Sequence, residues 1–332
     1  MRVLAFSLLR ALSSERFTSG TLLATEFAVS RSAVSAALKE AANAGVEIFS
    51  LTRQGYRLGA PLDFIDVARV ATAMGLIGNQ ANRIDLEVID CIDSTNTELL
   101  RRLNQGAPSG SVLVAEMQSA GRGRRGRVWQ SSLGGSLAFS ILWRFDLGLA
   151  QLGGLSLVVG LAVKRALDRF GIEAQLKWPN DIWLAQKKCG GILIETHGEL
   201  MGPVTAVIGI GLNVKLPMSV ISQLDQPVTD LASHAHGENV IERNALLAAV
   251  LCALIEALDI FSRDGFAAFR QAWIAAHALH GAVVEVTPAD GKIATGRVID
   301  VAATGALIVD VNGQVRTLSS EEVSLRPTAS AP

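Results

Sequence analysis

A chain of 332 residues has room for two or three domains. Thirty basic residues stand against 31 acidic ones, a formal charge of −1, which excludes a protein that coats polyanions but leaves room for a local basic patch. Hydrophobic residues make up 49% and charged ones 18%, so disorder over most of the length is excluded and a sizeable core is provided for.

Residues 1–60 carry seven basic and four acidic residues, a small local excess of positive charge. The apolar stretch Val3–Leu9 is followed at once by Arg10 and reads as a first helix, not as a leader. A second helical pattern covers Gly20–Phe27. A third starts behind Ser30, a good N-cap, with Val34 and Leu38 on one face and Gly45 placed to stop it. Val46–Leu51 and Tyr56–Leu58 then read as two strands joined through Arg53-Gln54-Gly55. Three helices with a tight turn between the last two, followed by a hairpin, predict a winged helix-turn-helix.

From 63 to about 280, strands are predicted at Asp85–Ile89, Val112–Glu116, Ala138–Arg144, Ile192–Glu195 and Thr205–Leu212, with helices after Ser94 and at Leu155–Arg169 and Glu242–Arg263. Several strands follow one another without a helix between, which predicts α+β around a mixed sheet. The charge-free run 147–163 is broken by Gln151, Ser156 and glycines and falls short of the roughly 20 residues of a bilayer span, so no membrane partner is expected. His277 and His280 close a helical stretch and read as partners of its dipole. From 281 to 327, short strands at Val283–Val286, Gly296–Val298, Ala306–Val311 and Val315–Leu318 predict a small β-barrel. Cys91, Cys189 and Cys252 are odd in number and far apart, which predicts no disulfide framework, no CxxC metal site and a cytoplasmic location.

Gly121-Arg-Gly-Arg-Arg-Gly126, followed by Arg127, formally satisfies GxGxxG. A strand precedes it but no helix is predicted after it, so a pyrophosphate would have no helix N-terminus to rest on. Four guanidinium groups on flexible backbone read either as a solvated basic loop or as a clamp for phosphate or carboxylate, held open by mutual repulsion until an anion arrives. Lys177-Trp-Pro-Asn-Asp181 closes a short strand. It is a plain turn, or a loop offering a carboxylate to a metal ion or a ligand. Lys187-Lys-Cys-Gly-Gly191 sets a lysine at the mouth of the strand Ile192–Glu195, where it ends a hairpin or neutralises an acyl or phosphate oxygen. Ser94-Thr-Asn96 is a helix cap or a polar site, and Asn213 ends the apolar strand Gly209-Ile-Gly-Leu-Asn213.

In order, STN, the GRGRRGR loop, KWPND, KCGGILIE and GIGLNV resemble the biotin–protein ligase family. With the N-terminal winged helix, the chain is similar to the members that also repress biotin-synthesis genes. The resemblance implies a class II synthetase-like catalytic domain over 63–280, a winged helix-turn-helix over 1–60 and an SH3-like barrel over 281–327. It also implies that biotin and ATP·Mg²⁺ give biotinyl-5′-AMP, whose acyl group passes to a lysine of a biotin carboxyl carrier domain. Biotin contacts are then expected from Ser94, Thr95, Asn96, Gln118, Arg122, Gly123, Arg124 and Lys188, with Arg122, Arg124 and Lys188 screening the two reacting anions. Lys177, Asn180, Asp181 and Asn213 fall on the nucleotide and metal side, with magnesium arriving on ATP and no dedicated protein site. Where some relatives place a tryptophan against adenine, this chain reads Ser222-Gln-Leu-Asp-Gln-Pro227. Arg31, Ser32, Ser35 and Lys39 are the candidates for reading operator DNA, with the adenylate as corepressor of a homodimer. The alternative is a ligase whose winged helix no longer binds DNA.

Overall fold

The computed structural model describes residues 1–78, 80–222, 224, 226–235, 240–288, 294–319 and 323–327. Side-chain caps set the first helices. Ahead of them, α1 (Val3–Ala11) buries Phe6, Leu8 and Leu9. The Ser19 hydroxyl accepts from Leu22 N at 3.1 Å to start α2 (Gly20–Glu26), and the Ser30 hydroxyl accepts from Ala33 N at 3.1 Å to start α3 (Arg31–Asn43). Gly45, at φ +94°, ends α3 as its sequence position predicts. Val46 closes this turn by donating to Ala41 O, so the hairpin begins two residues later than expected, with β1 (Ile48–Leu51) against β2 (Gly55–Leu58). Val34 and Leu38 point into the core, while Arg31, Ser32, Ser35 and Lys39 are exposed on the other side of α3.

After α4 (Val67–Ile77) come β3 (Asp85–Ile92), α5 (Thr95–Leu103), β4 (Ser111–Gln118), β5 (Ser136–Phe145) and α6 (Leu155–Asp168). Next are β6 (Gln175–Lys177), β7 (Asp181–Leu184), β8 (Lys187–Gly198), β9 (Val204–Asn213), α7 (Met218–Ile221), α8 (Arg243–Asp264) and α9 (Arg270–Ala276). The seven strands order as β3-β4-β5-β9-β8-β7-β6. Only β3 and β4 run parallel, because α5 carries the chain back between them, and every other pairing is antiparallel. The mixed sheet is thus the one expected. Helices α4, α6 and α8 share the large core with Phe139, Phe145, Ile208 and Ile210, and α5 packs Leu99 on Leu113, Leu142 and Val207 in a smaller cluster. Two helical stretches, Leu149–Asp168 and Arg243–Asp264, are long and apolar enough to cross a membrane, and both are mostly buried in this core.

Two readings are corrected. Gly190 and Gly191 lie inside β8, which starts at Lys187; a Cβ at Gly190 would meet Leu212 Cδ2 at 2.6 Å. These glycines permit a close approach, as their sequence suggests, but from inside the strand, which starts five residues before the expected Ile192. His277 caps α9 but is buried against Trp273, with ring centroids 4.5 Å apart, and burial lowers its pKa to about 3. It is a neutral core histidine, not a charge on a dipole.

The C-terminal sheet adds one strand to the four expected. Its strands are β10 (Val283–Pro288), β11 (Ala294–Val301), β12 (Leu307–Val311), β13 (Gln314–Leu318) and β14 (Val323–Pro327), in the order β13-β12-β11-β10-β14. Arg270 holds it to α9 by donating to Val301 O at 2.6 Å and pairing with Asp300.

Candidate functional site

Parallel β3 and β4 end side by side, with Ile92 opposite Gln118, and the chain leaves β3 directly into α5. Carboxyl ends of parallel strands leave backbone groups and a helix N-terminus around one crevice. Ser94 caps α5, accepting from Thr97 N at 3.4 Å. Asp93, beside it, accepts from Ser94 N and from Arg101, whose guanidinium holds the carboxyl below the usual carboxylate range. Thr95 N donates to Gln118 Oε1 at 2.8 Å, which joins the helix start to the strand end. Ser94, Thr95 and Asn96 are all buried.

The arginine loop folds over this crevice. Gly123 N donates to Arg127 O at 2.7 Å, Trp129 N donates to Gly121 O at 2.8 Å, and Arg125 takes φ +57° in the short turn Arg124–Gly126. Arg122, one of the four arginines of the loop, finds an anion within the protein itself: its Nη2 lies 2.7 Å from Glu195 Oε2. Trp129 follows the loop and lies on β9 and β8, where a Cβ at Gly211 would fall 2.5 Å from its indole and one at Gly191 3.7 Å from its ring. Its Nε1 is buried without a hydrogen-bond partner.

On the far side, β6 ends at Lys177, whose ammonium sits 4.8 Å over the Trp183 ring. The Trp178–Pro179 turn is clamped from two sides: Trp178 Nε1 donates to Gly305 O at 3.0 Å, and the Ser156 hydroxyl donates to Pro179 O at 3.0 Å. Asn180 Nδ2 donates to Ile192 O at 2.7 Å, leaving its Oδ1 3.4 Å from Arg124 Nη1. Lys188 Nζ pairs with Asp181 Oδ1 at 2.6 Å, both mostly buried.

One cavity is lined by Ser94, Thr95, Asn96, Gln118, Arg122, Gly123, Arg124, Lys177, Asn180, Asp181 and Lys188. Asn213 is not among its lining residues; its amide donates to Thr229 O at 3.0 Å behind the cavity. The residues proposed to read DNA lie on α3 and do not line the cavity, and positions 223 and 225 of the Ser222–Pro227 segment lie outside the described residues. Sequence reading missed Trp129, Ser140 and Glu195, and it singled out the glycine-bearing motifs around Gly191, Gly209 and Gly211 without giving those glycines a place in the site. The i, i+2 spacing of Gly209 and Gly211 carried a signal, since it strips side chains from one face of a strand.

A helix-turn-helix head joined to a mixed-sheet enzyme whose cleft gathers cations on two sides defines a regulator fused to a ligase. Residues 88–213 match the Biotin/lipoate A/B protein ligase family and residues 5–57 match an HTH domain. The bifunctional ligase/repressor BirA of Salmonella typhimurium is 32% identical over 96% of this chain and 97% of its own length, and that of Escherichia coli K12 is 32% identical over 96% of each. The biotin protein ligase of Aquifex aeolicus, solved with biotin and ATP, superposes with a TM-score of 0.61 at 29% identity, covering 74% of this chain and 99% of that one. The chain belongs to the biotin–protein ligase family, as a full-length homologue of its bifunctional ligase/repressors.

Proposed function

We propose that the cavity binds biotin against the Thr95–Gln118 side and ATP against the Lys177–Asp181 side. A carboxylate oxygen of biotin attacks the α-phosphorus, the bond to the bridging oxygen breaks and pyrophosphate leaves, giving biotinyl-5′-AMP. The ε-amino group of a lysine on a biotin carboxyl carrier domain then attacks the acyl carbon; AMP leaves, the amide forms and the amine gives up a proton. The adenylate is itself the activated acyl donor, so no nucleophile of the enzyme is required. The observation that carries this reading is the convergence of Arg122, Arg124, Lys177 and Lys188 on one cavity with the polar start of α5. Two anions must meet there, and cations in a partly dry cleft favour the approach.

On this reading Ser94, Thr95, Asn96, Gln118 and Gly123 hold biotin, Arg122, Arg124 and Lys188 meet the reacting groups, and Lys177, Asn180 and Asp181 serve the nucleotide. Asn213 supports that side from behind. Among the described residues there is no group of three acidic, histidine or cysteine side chains that could cage a metal. A single carboxylate at Asp181 fits a magnesium ion held mainly by phosphate oxygens, which when bound would neutralise phosphate charge. We take 1–60, 63–280 and 281–327 as the three domains, and the cytoplasm, where free thiols persist, as the compartment.

The head reads an operator through Arg31, Ser32, Ser35 and Lys39 once the adenylate has paired two copies into a dimer. A ligase that no longer binds DNA is the second reading, favoured by the sparse charge of α3, where only two of those four residues are basic. Incubation with biotin, ATP, Mg²⁺ and a carrier domain should raise the carrier's mass by one biotinyl group. An unmodified carrier would sink the ligase reading.

A further inference from the structure

Ser140 is fully buried on β5, opposite Gly209 of β9, beneath the two residues that form the polar floor of the cavity. Its Oγ lies 2.7 Å from Thr95 Oγ1 and 2.6 Å from Asn96 Oδ1. Gly209 makes room for this cluster, since a Cβ there would fall 2.2 Å from Asn96 Oδ1.

The proton inventory of this cluster has one solution. Asn96 Nδ2 stands 3.2 Å from Leu193 O and 2.9 Å from Glu195 Oε2. A carbonyl and a carboxylate paired to Arg122 can only accept, so the amide nitrogen must face them and the amide oxygen must face Ser140. Asn96 Oδ1 cannot donate, so the single proton of Ser140 goes to it. The short contact between Ser140 and Thr95 then needs the Thr95 proton, with Thr95 as donor. Gln118 Oε1 keeps its bond from Thr95 N at 2.8 Å and does not compete at the longer 3.2 Å to the hydroxyl. Thr95, its proton committed downward, offers the cavity lone pairs only.

We propose that Ser140 is a positioning residue that fixes this proton order and so makes the floor beneath the ligand an acceptor surface, selective for a ring bearing N–H groups. The proposal rests on the biotin reading above, in which the cyclic urea offers two such donors. Without Ser140 the Thr95 proton is released from that bond and can turn to Gln118 Oε1, 3.2 Å away, or to the ligand, so the floor no longer holds one polarity.

The test measures dissociation constants by calorimetry for biotin and for two cyclic carbamate analogues, each with one ureido N–H replaced by a ring oxygen. It compares the full-length wild type, Ser140→Ala and Ser140→Thr, and takes KM for ATP from pyrophosphate exchange. In Ser140→Ala biotin should weaken about tenfold, the worth of one well-placed hydrogen bond. The analogue that wild type rejects more strongly should weaken less, so the preference for biotin narrows several-fold while KM for ATP holds. Ser140→Thr, which keeps the hydroxyl, should restore the preference. An unchanged preference in Ser140→Ala overturns the proposal, as does an equal loss for biotin, both analogues and ATP, which marks a merely structural serine. Wild type that binds no biotin overturns the ligase reading itself and this proposal with it.

Discussion

Acid should weaken this protein through one histidine. His277 stacks on Trp273 beside the strand that leads into Lys177, and Ala278 N donates to Leu176 O at 2.9 Å. Burial, with the nearby His280 adding a smaller push, lowers its pKa from 6.5 to about 3. A folded state that holds the ring neutral keeps its full advantage above the unfolded value near 6.5 and loses it as the pH falls toward 3, because the unfolded chain takes up the proton first. At pH 7.5 the penalty is negligible. At pH 5 the unfolded state gains about 1.5 pH units of protonation, or about 2 kcal/mol. Urea unfolding of wild type and His277→Phe at pH 7.5, 6 and 5 isolates this share. Whatever the substitution costs at pH 7.5, the variant should lose about 2 kcal/mol less on going to pH 5. Parallel losses in the two proteins would refute the assignment of acid sensitivity to His277.

Three further outcomes are expected. Glu116→Gln leaves Arg243 buried with its charge unmatched, since the pair sits 2.7 Å apart at 0% and 1% side-chain exposure, and should cost about 3–5 kcal/mol in a denaturant titration. Lys188→Ala should slow biotin-dependent pyrophosphate exchange by a few kcal/mol of barrier, and Arg124→Gly should release adenylate that labels lysines outside the carrier domain; wild-type rate and selectivity in both would remove these residues from the site. Sedimentation should show a dimer only with biotin and ATP, and gel shift with the promoter of its own biotin genes should appear only then; a dimer without a shift retires DNA binding and leaves the ligase.

The helices and strands were legible where one cap or one continuous apolar run dominated: Ser30 starts α3, and β5 and β9 are buried along nearly their whole length. Two kinds of feature escaped. Gly190 and Gly191 read locally as glycines at the mouth of a strand, and only the arrival of Leu212 from β9, 2.6 Å from where a Cβ at Gly190 would sit, shows what Gly190 makes room for. Glu195 reads as the polar end of a strand until the fold brings Arg122 to it, across 73 residues of chain. The charge of the loop was visible, and its answering carboxylate was not, because repulsion is a property of neighbours in sequence and its relief a property of neighbours in space. His277 failed for the same reason: its place at a helix end is local, its burial where the chain bridges to Leu176 of β6 is not.

The reading head and the ligand site are joined by more than the linker. Asp63–Ile65 is fastened to the catalytic core by Ile65 N on Glu116 Oε1 at 2.6 Å and by Arg243 Nη1 on Asp63 O at 2.6 Å. The apolar cluster of the head continues past this joint and takes in Leu133, with Cys91 and Met117 packed against it. Strand alternation sets Met117 and Gln118 on opposite faces of β4, so Gln118 bonds to Thr95 while its neighbour packs under the head. Leu133 stands at the other base of the arginine loop, where Gly134 is pressed against Leu62 so closely that a Cβ would lie 2.9 Å from its Cδ2. Both ends of the ligand-covering segment are thereby seated in the packing of the head. Close-packed side chains do not yield independently; a shift of Gln118 or of the loop base displaces atoms that belong to the core of the helix-turn-helix. A variant that loosens this seat, Met117→Ala, should therefore shift amide hydrogen exchange in the helix-turn-helix and the dissociation constant for biotin together, whereas Lys39→Ala on the exposed face of α3 should shift neither; a Met117→Ala that moves only one of the two would refute the coupling.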